Sequence, residues 1–153
     1  MRVLGRLWGS IVFILDIAKV FIAFGIVYFI GNIFKQDTGV LLRQIFIVAA
    51  VVGHCYPIYY GFKGGKGVAV ALTALFILNS QIFLVCAIAG LLIILVTRMV
   101  SMGSIGGVIL FIIMTFVMIP QYVISAVIIA FIILFKHRSN IRRILEGQEN
   151  KAF

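Results

Sequence analysis

The sequence predicts an all-α fold, a polytopic bundle of transmembrane helices, on three observations. Of its 153 residues, 64% are hydrophobic and only 11% charged, whereas an ordinary soluble domain is about 45–50% apolar and about 25% charged. A chain this short has too much surface for its volume to hide so many apolar side chains from water. The apolar residues also gather into long runs between short polar breaks, with a mean hydropathy of +1.27. Inside lipid every backbone N–H and C=O must be paired, which a helix achieves within itself. Disorder, a soluble coiled coil and a nucleic-acid-binding domain are excluded for the chain as a whole, despite its net charge of +9.

Six runs are expected to form helical spans within one domain covering residues 1–153. The first, about 8–31, follows a basic opening segment. Asp16 and Lys19 interrupt it and it outlasts a signal peptide's apolar region, so it reads as a retained span. Charges within the hydrocarbon are costly, and this i, i+3 couple reads as a mutually neutralised pair. The second run, about 41–60, lies between the breaks GNIFKQDTG and GFKGGKG. The third, about 67–79, is short of the ~20 residues a crossing takes, so it thins the membrane, packs inside the bundle or belongs to a re-entrant element. The fourth and fifth, about 81–96 and 101–119, follow the NSQ turn and the TRMV segment. The sixth, about 121–135, follows Pro120. The polar, basic tail 136–153 is long enough for a short surface helix. Cys55 and Cys86 sit inside apolar runs and form neither a disulfide framework nor a metal-site spacing.

The charges orient the bundle. With the N-terminus in the cytoplasm, ten of the 13 Lys and Arg fall on that side, only Lys35 and Arg43 fall outside, and Lys19 lies within a span. This bias is the positive-inside pattern, and an even number of spans places both ends in the cytoplasm.

Four basic clusters thereby converge on one membrane face: RVLGRLWG, GHCYPIYYGFKGGKGVAV, TRMVSMGS and HRSNIRRILEGQE. In the second, Gly64, Gly65 and Gly67 permit backbone shapes that turn several N–H groups toward one anion. Lys63 and Lys66 add charge there, and the helix beginning near Gly67 presents its positive end to the same point. The spacing is not that of a nucleotide P-loop, and no Ser or Thr follows Lys66 to hold magnesium. A flexible basic turn retained inside by topology alone is the plainer reading of this loop. His54 has one too, a hydrogen bond to a backbone carbonyl. His137 and Asn140 share one helical face, Arg138 and Arg142 another; the plainer reading is a juxtamembrane helix on anionic head groups. With only four acidic residues in the chain, a two-carboxylate hydrolase or a carboxylate metal site is not expected. Cations, backbone amides, an imidazole and an amide side chain suit transfer from an already activated substrate.

The blocks GHCYPIYYGFKGGKGVAVA, TRMVSMGSI and HRSNIRRILEGQE, in this order, resemble three successive blocks of the bacterial acyl-phosphate-dependent glycerol-3-phosphate acyltransferases, the PlsY family. The opening MRVLGRLWG and the Asp16-x-x-Lys19 step resemble the end of that family's first motif and the helix after it. The resemblance implies a seven-helix fold, of which this sequence is expected to carry six. The first family helix and a Ser/Gly/Asn-rich loop would precede Arg2. Val70 stands where the family usually has Thr, and Val20 where it usually has Gly.

The resemblance implies that Arg2 and Lys66 bind substrate phosphate, with His137 and Asn140 completing the polar pocket. It implies that Gly64, Gly65 and Gly67 cradle the acyl phosphate, while Arg98, Ser101, Ser104 and Glu149 support the site. His54 and Lys63 lie in the same block and join the candidate set. The implied partners are acyl phosphate, glycerol 3-phosphate and membrane lipids, with no nucleic acid and no cofactor or metal. The implied location is the cytoplasmic face of a bacterial plasma membrane. Two other readings stay open: a catalytically impaired relative acting in membrane assembly or regulation, and a small anion transporter.

Overall fold

The structure, a computed structural model, describes residues 5–33 and 39–153. Every regular element among them is helical: α1 (Gly5–Ile33), α2 (Val40–Cys55), α3 (Val68–Leu78), α4 (Ser80–Thr97), α5 (Val100–Met118), α6 (Val123–Lys136) and α7 (Arg138–Leu145). The six expected runs appear as α1 to α6, and the basic tail forms α7. By length and composition four of them are long and apolar enough to cross a membrane: Leu7–Asn32, Val40–Tyr60, Ser80–Thr97 and Val100–Met118. Short α3 and the 14-residue α6 fall below the ~20 residues of a full crossing.

One boundary differs from expectation. The second run was expected to stay helical to about residue 60, but α2 ends at Cys55. Pro57 has no N–H to donate and excludes helical geometry from Tyr56. A single 3-10 turn, Ile58–Tyr60, follows and closes on Gly61 in the left-handed region. The other ends follow their sequence. Asn79 terminates α3 and caps α4, its side chain accepting the Ile82 N–H at 3.0 Å. Arg98, at φ +59°, closes α4 before α5 begins two residues later.

Packing follows side-chain size. α4 and α5 form the most extensive pair, because small residues let their backbones meet: a Cβ on Gly103 would come within 2.5 Å of the Gly90 carbonyl oxygen. α2 and α3 pack against each other, with α6 against α2 and α1 against α3. Their shared core holds Val51, Cys55, Val70, Ala74, Ile129 and Ile133. Val20 and Val70, the two departures from the family pattern, are both buried in it. Ile14, Ile22, Leu84, Leu92, Ile113 and Phe131 are exposed, an outer surface suited to lipid. The alternating helix directions bring the ends of α2, α4 and α6 and the starts of α3 and α5 to one end of the bundle. There Lys66, Ser101, His137 and Asn140 collect.

Candidate active site

The loop from Tyr56 to Gly67 is folded back on the end of α2. The Gly64 N–H donates to the Cys55 carbonyl at 3.2 Å and the Phe62 N–H to the Pro57 carbonyl at 3.0 Å. Lys136, at the end of α6, donates to the same Cys55 carbonyl at 2.8 Å and lies 4.5 Å over the Tyr56 ring. Gly67 then starts α3 at φ +85°, and a Cβ there would stand 2.9 Å from Cys55 Sγ. A left-handed residue pressed against a buried sulfur has to be glycine. Gly65 is constrained from outside: its Cβ would run into His54 Nε2.

Beyond this loop a chain of polar contacts links three parts of the sequence. Lys66 Nζ donates to Asn140 Oδ1 at 2.7 Å. Asn140, on α7, donates through Nδ2 to Glu149 Oε1 at 2.7 Å. Ser101, at the start of α5, donates to the same oxygen at 2.9 Å, and Arg143 Nε donates to Glu149 Oε2 at 2.7 Å. The Glu149 side chain is only 6% exposed. Burial works against its charge, but the hydrogen bonds from Asn140, Arg143 and Ser101 outweigh it and hold the carboxyl below the usual carboxylate range.

His137 is buried, with Nδ1 2.8 Å from the Ile133 carbonyl oxygen. A carbonyl can only accept, so Nδ1 carries the proton and the neutral ring keeps its lone pair on Nε2. Among the described residues no three His, Cys, Asp or Glu side chains come together as a metal site requires.

These groups border a cavity of about 670 Å³, lined by Lys66, Gly67, Ser101, Ser104, His54, His137, Asn140, Arg143 and Glu149. A second cavity of about 270 Å³ runs between α3, α4 and α5 and is almost wholly apolar. Val68, Leu72 and Ser104 line both, so the polar chamber and the apolar one are neighbours that share these side chains.

The family model described as glycerol-3-phosphate acyltransferase matches residues 1–147. The chain belongs to the glycerol-3-phosphate acyltransferase family. A glycerol-3-phosphate acyltransferase of Thermoanaerobacter sp. (strain X514) is 35% identical over 153 residues, 99% of this chain and 74% of the relative. That of Aquifex aeolicus (strain VF5) is 39% identical over 152 residues, 98% of this chain and 77% of the relative. A solved structure of PlsY, an integral membrane glycerol 3-phosphate acyltransferase, in its glycerol 3-phosphate form superimposes with a TM-score of 0.83. It is 36% identical, over 98% of this chain and 74% of that one. The lysophosphatidic acid form gives 0.82, at 36% identity, over 98% and 75%. Like that acyltransferase, this chain is a multi-pass integral membrane protein.

Within the family frame, the expected residues fall into three groups. Lys66, Gly67, Ser101, Ser104, His54, His137, Asn140 and Glu149 meet around one cavity. Four others do not line it. Exposed Lys63 lies in the loop, Gly64 packs on Pro57 and Gly65 on His54. Arg98 faces the tail, its carbonyl accepting the Ala152 N–H at 2.7 Å and its guanidinium 5.9 Å from the Phe153 ring. Arg2 lies outside the described residues.

The sequence reading missed Phe13 of α1, together with Asn150, Lys151 and Ala152 of the tail, all of which line the cavity. Arg143 was read only as part of a basic helix. Its spacing of six residues from Glu149 was the available signal for a pairing across the turn that ends α7.

Proposed function

We propose that this chain transfers a fatty acyl group from acyl phosphate to the 1-hydroxyl of glycerol 3-phosphate, giving lysophosphatidic acid and inorganic phosphate. The observation that carries this reading is the polar chamber around Lys66 and His137 lying next to an apolar cavity between helices, with Val68, Leu72 and Ser104 common to both. An acyl phosphate needs both at once: cations and amide donors for its head, and a lipid-like slot for its tail. A transporter reading would instead call for polar groups along a path through the bundle.

In the proposed step the 1-hydroxyl oxygen attacks the acyl carbon, the acyl carbon–oxygen bond to phosphate breaks, and phosphate departs with the bonding pair. Lys66, with Arg2, offsets the charge on the phosphate groups. Gly67 lets the backbone at the start of α3 approach the anion, aided by the positive end of that helix. The hydroxyl proton passes to His137 Nε2 or to a substrate phosphate oxygen. Asn140 and Glu149 hold Lys66 and Ser101 at fixed positions, so catalysis is mainly positioning. The active face is cytoplasmic, on the count of Lys and Arg, and the membrane is the bacterial plasma membrane.

The test is a choice of donor. The purified chain in lipid nanodiscs, given glycerol 3-phosphate, should form lysophosphatidic acid from palmitoyl phosphate at least about tenfold faster than from palmitoyl-CoA. Equal use of both donors would overturn the proposed donor. No product from either would leave the impaired, regulatory relative as the better reading.

A further inference from the structure

A second polar cluster lies beside the glycine loop, separate from the Lys66–Asn140–Glu149 chain. Asp16 and Lys19 of α1 face His54 near the end of α2. Lys19 Nζ donates to Asp16 Oδ1 at 2.6 Å and stands 2.9 Å from His54 Nδ1. Asp16 Oδ1 lies 3.3 Å from that same nitrogen. The Asp16 and His54 side chains are 20% and 13% exposed. The sequence suggests a pair neutralising itself within a span; the structure gives it a third member.

Nδ1 faces both the Lys19 ammonium and the Asp16 carboxylate, which leaves the ring's other nitrogen, Nε2, pointing away from the pair. Nε2 is the atom that a Gly65 Cβ would strike, and the His54 carbonyl is the one that a Gly64 Cβ would strike. The imidazole therefore backs Gly65, the residue immediately before Lys66, while Gly64 packs on the main chain of the same residue. An apolar residue could fill the same space. What the ion cluster adds is one fixed ring orientation, since its charges pair well in a single arrangement only.

We propose that Asp16, Lys19 and His54 are positioning residues that set the backbone at Gly65, and so aim Lys66 and the start of α3 into the polar chamber. This rests on the phosphate-binding reading of that loop. Asp16 and Lys19 act through His54, and His54 acts through the loop.

The experiment is a double-mutant cycle on the full chain in nanodiscs, read two ways. By activity with palmitoyl phosphate, Gly65→Ala should raise KM by about tenfold or more with kcat within about threefold, because it collides with the ring. His54→Ala should raise KM less, and His54→Ala/Gly65→Ala should be no worse than His54→Ala alone, because the collision partner is gone. By hydrogen exchange of residues 61–68, Gly65→Ala and Lys19→Met should each loosen the loop amides. His54→Gln, which keeps a polar group of similar reach, should restore most of the protection lost in His54→Ala.

Losses that multiply across the cycle, or a silent Gly65→Ala, would overturn the proposal. If the wild-type chain turns over no palmitoyl phosphate, the acyltransferase reading falls, and the exchange pattern alone decides whether the brace exists.

Discussion

Glu149 shows how much one carboxylate organises. It receives hydrogen bonds from Ser101, Asn140 and Arg143, reaching from the start of α5 and from two positions on α7. Its folded-state pKa is depressed, so the fold favours the ionised form. That stabilisation is complete above the ordinary carboxylate pKa of about 4.3 and is lost as pH falls through the lower folded value. Glu149→Gln should therefore lower the melting temperature at pH 7, with the gap to wild type closing below about pH 4. A gap independent of pH would mean that the carboxylate charge contributes nothing. The residue types at the site were legible because each carries its chemistry in its side chain. The pairings were not: Lys66 and Asn140 are 74 positions apart, and nothing local dictates which amide a lysine will meet.

Among the elements, the apolar runs gave α1 to α6 to within a few residues, except where Pro57 ended α2 early. Period and hydropathy settle that a helix exists, but the contacts between helices depend on small residues whose neighbours lie on other runs. Gly103 and Gly25 make the contrast testable. A Cβ on Gly103 would meet the Gly90 carbonyl and the Ile94 side chain, whereas one on Gly25 meets nothing within 4 Å. Gly103→Val should force α4 from α5 and cost about 1–3 kcal/mol. Gly25→Ala should be neutral or stabilise by up to about 1 kcal/mol. Both values come from denaturation in mixed micelles, and equal effects would contradict the close crossing. The tail was the least legible element. Its return across the α4–α5 turn is held by the Ser101–Glu149 hydrogen bond, by the Arg98 guanidinium near the Phe153 ring and by a backbone hydrogen bond from Ala152 to Arg98, pairings between segments about 50 residues apart that no local pattern encodes.

At the scale of the whole molecule, alternating helix directions bring distant basic blocks together. The distribution of Lys and Arg along the sequence leads to the expectation of such a convergence. Lys66 and Asn140 then meet at 2.7 Å, bordering a chamber that neighbours the apolar cavity between α3, α4 and α5. The most direct measurement is release of inorganic phosphate from palmitoyl phosphate by the purified chain, with and without glycerol 3-phosphate, for wild type and Lys66→Ala. Release that requires glycerol 3-phosphate and falls by about 10²–10³-fold in Lys66→Ala, with its melting curve unchanged, is the predicted result. Release that ignores the acceptor, or an undiminished rate in Lys66→Ala, would contradict it.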